Sequence, residues 1–313
     1  MAAAGTILAE NGFGSYELFS TQRALAGAEG LAAGASVVHE VAPGPVPEAA
    51  AMLLEAAGTE RIVALGGGRV IDTAKAIAAI SGAEVAALPT TMSGAEMTAI
   101  HRLPAGGEQR ARGLVRPTLV LADPEAMTSQ PEPDLRASSM NALAHGADSL
   151  YTPFANPVSR SCALRGAELI ASALDEDPSR RDRRSLALGS ILCGYAIDSG
   201  LFALHHVICQ TVVRVCGSPH AQTNAAVLPH AMAAMAARAP ERIEALAGAI
   251  GTEPSRIAER IVELGRPRGL GAAGADRAQL EAALDGIEQR PELQFTPDPP
   301  DRDELRAIVE AAW

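Results

Sequence analysis

Along the first 130 or so residues, short apolar runs rich in β-branched side chains alternate with longer runs of helical period. Residues 16–20 (YELFS) and 36–41 (SVVHEV) read as strands, and 47–57 as a helix with proline near its start. Residues 61–65 (RIVAL) form the continuous apolar run of a strand buried on both faces. That run ends in Gly66-Gly67-Gly68, and a helical pattern follows over 70–80. Residues 85–88 and 118–121 (TLVL) are two further strands, closed by Pro89-Thr90-Thr91 and Asp123-Pro124. Strands and helices joined by short connections predict a parallel, doubly wound sheet.

After Pro131-Glu132-Pro133 the pattern changes to helical runs alone: 134–151, 157–174, 184–197, 201–213, 223–237, 240–250, 254–264, 276–287 and 301–312. The chain therefore divides into an α/β domain, 1–132, and an all-helical domain, 133–313. The charged stretch 175–184 (DEDPSRRDRR) reads as a solvated loop. No internal repeat is evident.

Composition narrows the function. The chain has 313 residues, enough for two ordinary domains, and a formal net charge of −11, which argues against nucleic acid as a partner and against anionic membrane surfaces. No apolar run reaches the length of a membrane span, and the N-terminal stretch lacks the basic start of a signal peptide. Cys162, Cys193, Cys209 and Cys216 have no metal or redox spacing and read as reduced thiols in a cytoplasmic protein. With aromatics at 3%, the core must be aliphatic.

Two constellations carry candidate chemistry. Gly66-Gly67-Gly68 opens a helix after a buried strand, where backbone can approach a phosphate and free N–H groups meet it. A plain strand–helix turn would need one or two glycines, and the sequence is not GxGxxG. Pro89-Thr90-Thr91-Met92-Ser93-Gly94 puts hydroxyls at the end of the next strand, where open α/β sheets bind ligands. In the helical half, Asn141 and His145 are four apart and share a helix face. His205, His206 and His220 follow. Three histidines with an open position can hold zinc or iron, but Asn141 brings no charge to offset a cation. Packed core histidines remain the alternative.

In several ordered motifs the sequence resembles the iron-containing alcohol dehydrogenase superfamily with its dehydroquinate synthase-like fold, and most of all the maleylacetate reductase branch. The motifs are ALGGGRVIDTAKAIA (64–78), LPTTMSGAEMT (88–98), ADPE (122–125), NALAHGADSLYTPFANPV (141–158), ALHHVICQ (203–210), SPHAQTNAAVLPHA (218–231) and DELRAIVEAAW (303–313). The resemblance implies an NAD(P)-binding α/β domain, a helical catalytic domain, an active site in the cleft between them, and a homodimer. It implies cofactor contacts at Gly66, Gly67, Gly68, Asp72, Thr90, Thr91 and Ser93, with Lys75 on the same helix. Asn141, His145, His206 and His220 match the metal-ligand positions of metal-dependent members. The reductase branch also has asparagine at the first of these and works without metal, so the reading is metal-independent, with His145, His206 and His220 the set if zinc or iron were bound.

Three departures stand out. Gln210 replaces a common histidine near the substrate and cannot titrate near neutrality. Val213-Arg214 replaces a glycine pair. Arg69 follows the glycines where serine is usual. The segment before residue 20 looks like a compressed strand–helix unit. The leading reading is an NAD(P)H-dependent reductase of a small carboxylated ketone or enone. Its catalytic set is Asn141, His145, His206, His220 and Gln210, with Arg69 at the cofactor and Arg214, Arg102 and His205 toward substrate. The first strand's end, Ser20-Thr21-Gln22, lacks an acid for the ribose 2′-OH, and Arg23 stands ready for a 2′-phosphate, so NAD(H) and NADP(H) both stay open. The second reading is a repurposed non-redox cyclase, dehydratase or isomerase, and the third a small-ligand binder.

Overall fold

A computed structural model describes residues 3–58 and 60–313. The chain divides into two compact units, Met1–Gln130 and Pro131–Trp313. In chain order the first unit runs α1 (Ala4–Glu10), β1 (Glu17–Ser20), α2 (Gln22–Leu25), α3 (Glu29–Gly34), β2 (Val37–Glu40), α4 (Val46–Leu53), β3 (Arg61–Gly66), α5 (Gly68–Ser81), β4 (Glu84–Pro89), β5 (Leu119–Val120) and α6 (Pro124–Met127). All five strands are parallel, in the order β2-β1-β3-β4-β5. Successive side chains of β3 serve opposite faces. Ile62 and Ala64 pack with Phe19, Ile71 and Ile77, while Val63 and Leu65 pack with Leu8, Phe13 and Leu18. Burial on both faces explains the unbroken apolar runs.

The chain leaves β1 toward one edge and returns through β3 to build toward the other. The strand order therefore reverses between β1 and β3, and the crevice beyond their C-terminal ends is where doubly wound sheets bind ligands. Ser20 Oγ donates to the Leu65 carbonyl at 2.8 Å and pins the two strand ends together. Lys75, the only lysine, is fully buried. It donates to Asp72 Oδ1 (2.8 Å), to the carbonyls of Ala95 (3.0 Å) and Ile100 (2.8 Å), and to Thr98 Oγ1 (3.4 Å). It thereby ties the segment after β4 to α5. One expectation is corrected: the chain opens with helix α1 before β1, because Ala4 and Leu8 put apolar groups one turn apart that bury on the sheet.

The second unit runs α7 (Glu132–Ser149), α8 (Pro157–Asp175), α9 (Arg183–Gly200), α10 (Leu204–Cys216), α11 (His220–Arg238), α12 (Pro240–Ala249), α13 (Ile257–Gly265), α14 (Leu280–Glu288) and α15 (Arg302–Ala311). Helix α7 is its axis: every residue from 135 to 149 is buried, and α8, α9, α10, α11 and α13 pack around it. Small residues let these helices approach closely. A Cβ on Gly166 would stand 2.8 Å from the Gly189 carbonyl.

At two helix starts and in one loop the structure departs from the sequence pattern. The run 201–213 begins as helix only at Leu204, after Leu201 turns at φ 56° and the chain bends by 98° between α9 and α10. The run 223–237 starts earlier, at His220, so that histidine is helical. The run 175–184 is not simply solvated: Arg181 is buried, bonded to Glu132 (2.6 and 2.8 Å) and to the Ala173 carbonyl (3.1 Å). Among the described residues no single helix is long and apolar enough to cross a membrane.

Candidate active site

In the first unit, α5 starts at Gly68 with Gly67 as its N-cap. No side chain caps it and no acid lies in its first turn. Its opening N–H groups and positive dipole end thus stand at the reversal point without a protein anion, which suits a bound anionic group. All three glycines are needed by the fold itself, more than a simple turn was expected to require. An added Cβ would stand 2.6 Å from Val70 Cγ2 at Gly66, 3.0 Å from Thr91 Cγ2 at Gly67, and 2.9 Å from Ser93 Cβ at Gly68. The glycines thus seat the 91–93 segment against the helix start. Thr90 is buried; its N–H donates to the Gly66 carbonyl (2.9 Å), and Arg23 Nη2 lies 3.5 Å from its Oγ1. Arg69 is exposed, and Asp72 is engaged by Lys75.

Sequence reading overlooked Glu96. It is fully buried, its Oε1 has no hydrogen-bond partner, and burial pushes its carboxyl up to about 7 despite the Lys75 charge. A carboxylate within the hydroxyl-bearing run TTMSGAE was visible in the sequence, but not its burial.

In the second unit, α7 carries Asn141, His145 and Asp148 on successive turns, all buried. Asp148, which sequence reading also missed, organises the site. Its Oδ2 accepts from His206 Nδ1 (2.8 Å) and from the N–H groups of His206 (3.0 Å) and Ala203 (3.2 Å). Its Oδ1 accepts from the His205 N–H (3.3 Å) and from the Tyr151 hydroxyl. One carboxylate therefore caps α10 and orients the first catalytic candidate on it, which is why that helix starts at Leu204. The bond to Nδ1 fixes the neutral His206 ring as the Nδ1–H tautomer and leaves Nε2 as an acceptor. His206 Nε2 and His145 Nδ1 are both buried with no hydrogen-bond partner. The His145 and His206 rings stack with centroids 5.0 Å apart.

Electrostatics separate the members of this set. Burial, then the neighbouring His206, His220 and His205 rings, hold His145 well below the ordinary imidazole value. Burial and His206 take His205 down to about 3. Burial of its ring, then the neighbouring His206, take His220 down to about 4, although the residue as a whole keeps an exposed face at the start of α11. Burial alone would raise Asp148, yet the hydrogen bonds from His206 and Tyr151 keep it below the usual carboxylate range. Tyr151 is pushed far up by burial and by the Asp148 charge. At neutral pH the Asp148 carboxylate is ionised and the His145 and His205 rings are neutral.

The remaining predicted residues separate. His205 is fully buried, donates from Nε2 to Asn224 Oδ1 (2.9 Å) and lies 3.5 Å from Cys209 Sγ, so it ties α10 to α11. Gln210 accepts from Arg290 Nη2 at 3.0 Å, a residue the sequence did not single out. Arg214 is exposed on the last turn of α10, and Arg102 is exposed in a loop of the first unit. Among the described residues, no three His, Cys, Asp or Glu side chains converge as a metal site. With neutral Asn141 as the fourth position, the donor set as arranged does not fit a metal ion.

Comparison with known proteins adds the lineage. Residues 17–124 match the family described as iron-containing alcohol dehydrogenase, and 136–313 match the Fe-containing alcohol dehydrogenase family, C-terminal. The chain is 34% identical to maleylacetate reductase 1 of Rhodococcus opacus, over 87% of this chain and 78% of the relative. It is 36% identical to maleylacetate reductase of Burkholderia cepacia, over 86% and 79%. The crystal structure of maleylacetate reductase from Rhizobium sp. strain MTP-10005 superimposes with a TM-score of 0.84 at 28% identity, covering 100% of this chain and 93% of that one. The chain therefore belongs to the iron-containing alcohol dehydrogenase family, in its maleylacetate reductase branch, and is an oxidoreductase.

Proposed function

We propose that the chain uses NAD(P)H to reduce a small carboxylated ketone or enone of the maleylacetate kind, independently of metal. The observation that carries this reading is the Asp148–His206 pair. Of the clustered rings His145, His205, His206 and His220, only His206 has a carboxylate on its Nδ1, and its Nε2 is buried without a partner. Asp148 offers the counter-charge an imidazolium at His206 needs, so a proton held on Nε2 is the one to be delivered to the reduced substrate. His145, neutral and stacked on His206, keeps that position dry and strengthens its electrostatics. In the first unit, the α5 N-terminus and Gly66, Gly67 and Gly68 suit the cofactor pyrophosphate, with Thr90, Thr91 and Ser93 beside it. Arg69 and Arg23 are the cations available to a 2′-phosphate. The nicotinamide, when bound, supplies the hydride.

The relatives' names support a reductase and do not favour the non-redox or binder readings. We also propose a cytoplasmic homodimer; all four cysteines are free thiols, and sedimentation equilibrium tests the dimer. The test of function is oxidation of NADH and NADPH by chelator-treated protein with maleylacetate. Turnover that survives chelation is expected. No turnover with either nucleotide refutes the reading, and turnover restored only by added zinc or iron refutes its metal independence.

A further inference from the structure

We infer that Arg290, presented by Gln210, is a carboxylate-binding subsite beside His206; this rests on the reductase reading and names how its acidic substrate is held. Gln210 follows His206 by four residues on α10, so the two side chains share a face one turn apart. Arg290 reaches that face from outside the helix, Nη2 to Gln210 Oε1 at 3.0 Å. Its guanidinium lies over the Phe202 ring, 5.9 Å from the centroid, and the Phe202 ring centroid is 5.9 Å from that of His206. One aromatic ring therefore borders both the cation and the candidate proton carrier.

The donor count leaves room for an anion. Glu292 Oε2 takes the Arg290 Nε at 2.9 Å and fixes the guanidinium plane. Gln210 takes one Nη2 N–H. Among the described residues no protein acceptor takes the Nη1 group or the second Nη2 N–H, so three N–H donors of the planar fork remain for a carboxylate. Among the described residues no acceptor takes the Gln210 carboxamide N–H groups either, while its oxygen is held by Arg290. Glu292 already balances the charge, so the subsite works through aimed donors rather than net attraction. Arg290 is half-buried beside an apolar ring, where such donors count for more than on the open surface of Arg214 or Arg102.

The experiment compares wild type, Arg290→Met and Arg290→Lys, each confirmed folded by circular dichroism. Substrates are maleylacetate and its uncharged dimethyl ester. Arg290→Met should raise KM for the acid by roughly 30-fold, with kcat within about threefold and KM for the ester unchanged. Arg290→Lys should fall between, because a point charge replaces the fork. Equal rises for acid and ester, or none for the acid, overturn the subsite. Calorimetric titration with maleate needs no turnover and keeps the two claims apart. Maleate bound by wild type and lost in Arg290→Met supports the subsite even if maleylacetate is not reduced. Maleate bound equally by both, or by neither, overturns it. Should Arg290→Met not fold, Arg290→Gln, which also removes the guanidinium fork, takes its place with the same expectations.

Discussion

Replacing Asp148 by asparagine tests whether one buried carboxylate both starts α10 and supplies the counter-charge of His206. The carboxylate accepts five hydrogen bonds, three on Oδ2 and two on Oδ1. Asparagine has a single acceptor oxygen. Its best placement keeps that oxygen at the Oδ2 position and retains the bonds from Ala203 N–H, His206 N–H and His206 Nδ1. The amide NH2 then occupies the Oδ1 position. The Tyr151 hydroxyl can turn to accept from it, but the His205 N–H cannot, and stays buried and unpaired. That costs about 1–3 kcal/mol. Three charge-assisted bonds become neutral ones, at roughly 1 kcal/mol less each. The expected loss is about 4–6 kcal/mol, a large share of an ordinary domain's stability. Urea unfolding near neutral pH measures it, and Tyr151→Phe, which removes one donor only, should cost about 1 kcal/mol. Hydrogen exchange should quicken first at the start of α10, and kcat should fall at least tenfold because an imidazolium at His206 loses its counter-charge. A Asp148→Asn protein within 1 kcal/mol of wild type, with kcat intact, would falsify the assignment.

Three further outcomes follow from the same structure. Glu96 has its folded value raised to about 7 from 4.5, so its burial costs stability progressively as pH rises from 4.5 to 7. Glu96→Gln should be more stable than wild type by about 3 kcal/mol at pH 8 and by under 1 kcal/mol at pH 5 in urea titrations; equal gains at both would sink the idea. His145 and His205 have folded values below the unfolded one of 6.5, so their stabilising effect is complete above pH 6.5 and is lost as pH falls. In the Glu96→Gln background each should remove about 1.4 kcal/mol per pH unit below 6.5, and flat stability from pH 7.5 to 5.5 would count against their burial as neutral rings. Gly68→Ala should cost about 1–3 kcal/mol and weaken NADH binding at least tenfold in fluorescence titration, because its Cβ would stand 2.9 Å from Ser93 Cβ; unchanged affinity in a folded variant argues against the glycine cradle.

Much of this was legible in the chain because period and punctuation are local properties. Continuous apolar runs at 61–66 and 84–89 announce strands covered on both faces, and glycines after the first of them announce a helix start against neighbouring backbone. The histidine set was legible from spacing: Asn141 and His145 one turn apart on α7, and His206 on a second helix. Local signals did not reveal what those residues meet. Asp148 and Arg290 lie 58 residues before His206 and 80 after Gln210, and nothing near them in sequence marks them as partners. Nor could sequence show that Lys75 is spent on Asp72 and two carbonyls, that Arg181 is buried in a stretch reading as solvated, or that Glu96 has an oxygen without a partner. The chain by itself determined which segments are strand or helix and which residue types could do chemistry, since those depend on a few neighbouring side chains. Only the tertiary structure decided which nitrogen of His206 is free and which carboxyl holds its proton, because burial and hydrogen-bond partners are set by residues distant along the chain.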